Sequence, residues 1–236
     1  MPLPEAWRRA LDEALDVVFA STCAGCDEPG ALLCASCAAE MTARPTLRSV
    51  DRGAGAPLRV CSALRFEGVC ARALRAFKED GRTPLARPLG AALAVAVSTV
   101  VPDALRRDGA SFAVVPVPSS RAAMRRRGFV APELLVRRAG ARPVRLLRIA
   151  RGTADQRGLA RAERAENLAG AFTAESAAAD LRVVVVDDVV TTGSTLREAA
   201  RVLEAAGAVV LGAATVASTP RHADGAAASV KHGNER

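Results

Sequence analysis

Two stretches of this chain hold side chains able to do chemistry. The first is VVVVDDVVTTGSTL, residues 183–196, where four valines run into Asp187 and Asp188. Adjacent carboxylates repel each other and resist desolvation, so a fold that keeps such a pair usually employs it. The loop that follows is Thr191, Thr192, Gly193, Ser194 and Thr195. A small-residue loop opening a helix offers unpaired backbone amides and hydroxyl donors, which together make a phosphate cradle. Its lone glycine lets the chain approach a ligand closely. Carboxylates beside such a cradle suit sugar hydroxyls or a magnesium ion. The combination asks for a phosphate with a diol next to it, as in phosphorylated ribose.

Other phosphate motifs fit less well. A Walker loop needs a lysine after its second glycine, and none follows Gly193; the dinucleotide pattern GxGxxG is absent too. A receiver domain shares the strand and acid pair but needs most of its length downstream, and this chain ends at Arg236. A plain solvated turn needs neither paired acids nor a capped polar loop.

The second stretch, CAGCDEPGALLCASC, places Cys23, Cys26, Cys34 and Cys37 as two CxxC pairs with seven residues between them. Each pair can present two thiolates to one ion, and two pairs complete a tetrahedral site. The alternatives are redox dithiols or unligated core cysteines; two pairs this close favour zinc. A closed four-thiolate site is structural, with no open position for catalysis. Cys61 and Cys70 lack such spacing and read as small buried hydrophobes.

The bulk of the chain must position these residues. Half of its 236 residues are hydrophobic, mainly Ala and Val, while aromatics make up 3% and Tyr is absent. Small side chains suit helix-on-sheet packing and argue against a nucleic-acid platform of stacked rings. The net charge of +8, carried mostly by arginine, points to phosphorylated partners, although arginine-rich composition can also colour a whole proteome. No apolar run looks long enough to span a bilayer, and acidic and basic residues interrupt any secretory h-region at the N-terminus. Leu3, Trp7, Leu11, Leu15 and Val18 fall instead on one helical face. The expectation is a cytoplasmic protein without membrane insertion, its thiols reduced.

Four sections follow: 1–50 with the amphipathic helix and cysteine module, a Gly- and Pro-containing linker over 51–58, an alternating strand–helix region over 59–221, and a disordered tail over 222–236. Alternation of this kind specifies an α/β fold, a doubly wound and mostly parallel sheet. Strands are expected at 59–66, 111–117, 144–148, 182–186 and 208–216, with helices at 69–78, 85–101 and 129–139. The run at 182–186 lacks alternation, as a central strand covered on both faces does. A further helix follows it, with Leu196, Ala199, Ala200 and Leu203 on one face and Thr195 with Glu198 as a capping box.

Residues 183–195 resemble the ribose-phosphate signature of type I phosphoribosyltransferases. Together with AFKEDGR (76–82), VVPVPSSRAAMRRRGF (114–129), DQRGLARAERAENLAGAF (155–172) and the four N-terminal cysteines, the chain resembles the ComF family, found with competence and DNA-uptake systems. The resemblance runs over roughly residues 15–220 and implies a phosphoribosyltransferase-like fold with an N-terminal zinc module. It implies that Asp187 and Asp188 hold the ribose hydroxyls and that Thr191 to Thr195 hold the 5-phosphate. Ser119, Ser120 and Arg121 would face the diphosphate, with Lys78 a second candidate. Arg125, Arg126 and Arg127 would serve the diphosphate or a nucleic-acid backbone, or form a solvated helix face. Gln156 and Arg157 sit where the superfamily carries a mobile loop. The implied ligand is phosphoribosyl diphosphate with magnesium. Thr191 stands where hypoxanthine-type relatives carry an acidic base, and RGFVAP at 127–132 replaces the RGFNQ common in ComF relatives.

Two readings result. One is a phosphoribosyltransferase with an unassigned acceptor. The other is a binding protein that keeps the sugar-phosphate site as a regulatory or vestigial one while its basic surface and zinc module engage single-stranded DNA or a competence helicase.

Overall fold

A computed structural model describes residues 22–53, 55–150 and 170–220. The N-terminal helix, the segment with Gln156 and Arg157, and the C-terminal tail therefore lie outside the described residues.

The elements in chain order are α1 (Ala35–Glu40), β1 (Thr46–Val50), β2 (Leu58–Arg65), α2 (Gly68–Lys78), a 3-10 turn (Thr83–Leu85), α3 (Ala86–Val100) and α4 (Asp103–Arg107). Then come β3 (Ala113–Pro116), α5 (Arg121–Arg127), α6 (Ala131–Arg138), β4 (Leu147–Ile149), β5 (Phe172–Ala174), β6 (Arg182–Val190), α7 (Ser194–Ala205) and β7 (Val209–Ser218). The main sheet has the order β1-β2-β7-β6-β3. Only β1 is antiparallel to its neighbour; β2, β7, β6 and β3 run parallel. A separate hairpin pairs β4 with β5.

Helices cover both faces, as parallel strands require. One core joins Leu74 and Phe77 of α2, Leu89 and Leu93 of α3 and Leu135 of α6 with Val184 and Val186 of β6. The other joins Leu196, Ala199 and Leu203 of α7 with Val183 and Val185. Alternate valines of β6 thus feed opposite cores, which is why the strand shows no polar alternation in sequence. Cys61 and Cys70 are buried hydrophobes, as expected.

Several elements differ from expectation. β6 runs four residues further than predicted, because Val189 and Val190 keep pairing with Ala217 and Ser218 of β7. The helix expected at 129–139 is present as α6, but an unexpected helix, α5, precedes it and ends where Gly128 turns left-handed at φ +76°. Thr195 and Glu198 form no capping box; Gly193 is the N-cap of α7, and Glu198 is buried, accepting a bond from Gly170 N at 2.8 Å and pairing with Arg201. Contrary to the reading of apolar runs, Thr83–Val100 has the length and mean hydropathy, 1.3, of a spanning helix. Leu85, Leu89, Leu93, Ala96 and Val100 within it are buried in the core against the sheet.

Strand β1 is the least expected element. TLRSV has little apolar content, yet it pairs in register with β2, Thr46 opposite Ser62 and Val50 opposite Leu58. The chain leaving the cysteine module therefore joins the main sheet directly.

Candidate functional site

The acids sit inside β6, near the carboxyl ends of the parallel strands, where open α/β sheets bind ligands. Successive strand residues point to opposite faces. Asp188 shares its face with Val184 and Val186, and its Oδ1 lies 2.7 Å from Lys78 Nζ at the end of α2. Asp187 shares the α7 face with Val183 and Val185, and its Oδ1 accepts from the backbone N–H of Asp188 at 2.9 Å. One acid is neutralised by a lysine. For the other, burial and then the Asp188 charge push the carboxyl up to about 7, only partly offset by the Asp188 amide and Lys78.

Beyond the acids, Gly193 adopts φ +90°, which only glycine takes without strain. The turn it makes exposes Thr191 and Thr192, leaves Ser194 and Thr195 half-buried, and starts α7 at Ser194. Thr192 Oγ1 lies 3.0 Å from Ser194 Oγ and accepts from Ser194 N at 3.3 Å, so the hydroxyls are gathered on the helix N-terminus. Val50 packs against Gly193 from β1. A Cβ placed on that glycine would fall 2.6 Å from Val50 Cγ2.

The turn carrying Ser119 and Ser120 follows β3, the neighbour of β6, and Val117 N donates to Val186 O at 2.8 Å. It therefore lies at the same sheet edge as the acids. Ser120 Oγ accepts from Ala123 N at 3.1 Å and caps α5, which Arg121 opens. Arg125 and Arg126 are exposed, whereas Arg127 is half-buried with its Nε out of solvent and without a hydrogen-bond partner among the described residues.

The four cysteines converge. Their Sγ atoms all lie within 4.8 Å of one another, with Cys26 and Cys34 at 3.7 Å. Tetrahedral zinc at ~2.3 Å from each sulfur calls for sulfur–sulfur edges of about 3.8 Å, so the set fits that ion. Cys23 Sγ accepts from Gly25 N and Cys34 N, each at 3.3 Å. Burial pushes the Cys23 thiol up, but N–H groups of Cys34, Gly25 and Cys26 outweigh it and bring it down to about 6. Burial and neighbouring thiols push Cys37 the other way. The module is seated on α2: Gly25 is packed so closely that a Cβ would meet Cys37 Sγ at 2.5 Å and Val69 Cγ1 at 2.9 Å. Arg72 Nε donates to Gly25 O as well.

A family model, the phosphoribosyl transferase domain, matches residues 112–234, more than half of the chain. The chain belongs to that family. The phosphoribosyl transferase match contains both acids, the loop and the Ser119–Arg121 turn, while the cysteine module and Lys78 precede it. Among solved structures, the glutamine phosphoribosylpyrophosphate amidotransferase from B. subtilis, complexed with ADP and GMP, is 22% identical with a TM-score of 0.34. The alignment covers 56% of this chain and 26% of that one. A structure described as the allosteric regulatory enzyme of purine biosynthesis is also 22% identical, with a TM-score of 0.30, covering 48% of this chain and 23% of that one. This chain thus spans about a quarter of the length of either. No curated protein matches it.

Sequence reasoning missed Val50, Lys78 as the partner of Asp188, and Glu198 as the anchor of Gly170. Each is a contact between segments far apart in the chain, and no local pattern signals it.

Proposed function

We propose that this protein binds phosphoribosyl diphosphate with magnesium and is a phosphoribosyltransferase of the ComF kind, cytoplasmic and acting in DNA uptake. The observation that carries the reading is the phosphate loop: a left-handed Gly193, gathered hydroxyls and a helix N-terminus, set directly beyond two acids. In this reading Thr191 to Thr195 hold the 5-phosphate, Asp187 and Asp188 hold the ribose hydroxyls, and Ser119, Ser120 and Arg121 face the diphosphate. Arg125 and Arg127 lie on the helix behind that turn.

The chemistry would be displacement of diphosphate from the anomeric carbon through an oxocarbenium-like transition state. The chain's own residues contribute position and charge: the loop fixes the 5-phosphate, the carboxylates orient the diol, and the basic turn stabilises the leaving group. Two hard carboxylates suit magnesium, which when bound would neutralise the diphosphate. The loop itself supplies no general base, since Thr191 stands where an acid would serve. Zinc in the four-cysteine site would be structural.

The exposed Arg125 and Arg126 on α5 support the second reading, contact with a single-stranded DNA backbone. Phosphorus NMR of phosphoribosyl diphosphate with magnesium and protein separates the two. Broadening followed by free diphosphate on addition of an acceptor supports the enzyme. Broadening without release across candidate acceptors, together with DNA binding that weakens steeply with salt, supports the binding protein. Unchanged resonances contradict the enzyme, and DNA binding that does not weaken with salt contradicts the binding protein.

A further inference from the structure

Lys78 is the last residue of α2, and the helix that carries it is firmly held. Phe77, fully buried, packs against the Phe129 ring at 5.1 Å between centroids and a 45° tilt, and Val69 lies against Gly25 of the cysteine module. The Lys78 and Asp188 side chains retain 24% and 12% of their exposure, so neither charge is well hydrated and each depends on the other. The place a cation would take against Asp188 is thus already filled by an ammonium.

We propose that Lys78 is a resident counter-ion that keeps free divalent metal off the acid pair. It releases Asp188 only to a ligand that brings a metal and an anion together. The inference rests on the sugar-diphosphate reading above and adds to it an order of events. Charge explains the exclusion. With Lys78 present, the two acids and the lysine carry at most one net negative charge. That is a poor site for a divalent ion, which needs several anionic oxygens to replace its waters. Without the lysine the adjacent carboxylates, on opposite faces of β6, are left uncompensated.

Charge also explains the release. A diphosphate ester supplies new anionic partners for the ammonium, and its metal supplies a new one for Asp188. Once the exchange is complete, each charge again has a partner. Lysine suits this role because its charge is compact and its four-carbon stem swings without moving the helix. Its position at the C-terminal end of α2 also favours a cation in either state.

The test measures Mn2+ binding by the loss of the free-ion electron paramagnetic resonance signal, using zinc-saturated full-length protein so that the thiolates do not compete. Wild type and Lys78→Arg should bind Mn2+ alone weakly and indistinguishably. Lys78→Met should bind it at least tenfold more tightly, and adding Asp188→Asn to Lys78→Met should abolish the gain. Equal affinity of Lys78→Met and wild type overturns the proposal. So does tight Mn2+ binding by wild type that Asp188→Asn removes, a result that does not depend on Lys78→Met folding. A parallel titration adds phosphoribosyl diphosphate to wild type, where metal uptake should rise with the ligand. Failure of that ligand to bind at all defeats the sugar-diphosphate reading, while the metal-only arm still decides the role of Lys78.

Discussion

Val50, the last residue of β1, lies directly on Gly193 of the phosphate loop, so close that a methyl group on the glycine would sit 2.6 Å from Val50 Cγ2. The contact joins the segment leaving the cysteine module to the loop that starts α7. Arg52, two residues on, reinforces it by pairing with Glu204 of α7 at 2.5 Å. The N-terminal segment therefore forms one wall of the site.

Gly193→Ala should be damaging for two separable reasons. The left-handed backbone costs a non-glycine residue roughly 1–2 kcal/mol, and the methyl group collides with Val50. Urea unfolding should show a loss of about 2 kcal/mol or more. Adding Val50→Ala should recover part of it by removing the collision, leaving the backbone strain. Simple additivity of the two losses would show that the contact is not the cause.

The raised Asp187 carboxyl sets a pH dependence. Its folded value, about 7, lies above the ordinary 3.8, so the folded state holds the proton more tightly than the unfolded chain. Stability from this group is fully present below about pH 4 and is lost as pH rises through 7. Asp187→Asn escapes that loss. It should be more stable than wild type by ~1–3 kcal/mol at pH 8, with the advantage shrinking towards pH 5. Thermal unfolding across that range checks it, and a constant or inverted difference would mean that Asp187 is ionised throughout.

Cys23 and Cys37 belong to the same buried core as Val69 and Leu74 of α2, so the cysteine module and the domain share one interior. Protein purified without chelators should carry about one zinc per chain. Cys34→Ser should lose the metal and lower Tm by several degrees. Less than about half a zinc per chain, by elemental analysis of unstripped protein, would speak for unmetallated thiols.

Ser62 of β2 and Thr215 of β7 meet hydroxyl to hydroxyl at 2.8 Å in the sheet interior, one strand from Asp187, which pairs in register with Thr215. Thr215 also donates to Ala217 O at 3.1 Å. Ser62→Ala should cost only about 1 kcal/mol, because Thr215 keeps that second partner. Thr215→Val removes both bonds and strands the Ser62 hydroxyl, so it should cost about 2 kcal/mol or more. Denaturant unfolding of the two variants should rank them in that order.

Much of this was readable in the chain. The valine run, the acids and the TTGST loop announced a central parallel strand feeding a helix, because burial on both faces removes alternation and a phosphate turn needs small polar residues. The CxxC pairs announced a convergent thiolate cluster by spacing alone. The rest depended on contacts between segments far apart in sequence. β1 was invisible because TLRSV owes its strand to pairing with β2 and has little apolar pattern of its own. Glu198 imitated a capping box, yet it was taken by Gly170 and Arg201. Lys78 stood in the right motif, but only the packing of α2 brought it to Asp188.

The central claim is that the loop and acids bind a phosphorylated ribose. Isothermal calorimetry with phosphoribosyl diphosphate and magnesium tests it most directly, on wild type and on the Asp187→Asn/Asp188→Asn variant. Wild type should give saturable heat at one ligand per chain, and the variant at least a tenfold weaker affinity. No heat from correctly folded, zinc-loaded wild type would contradict the account.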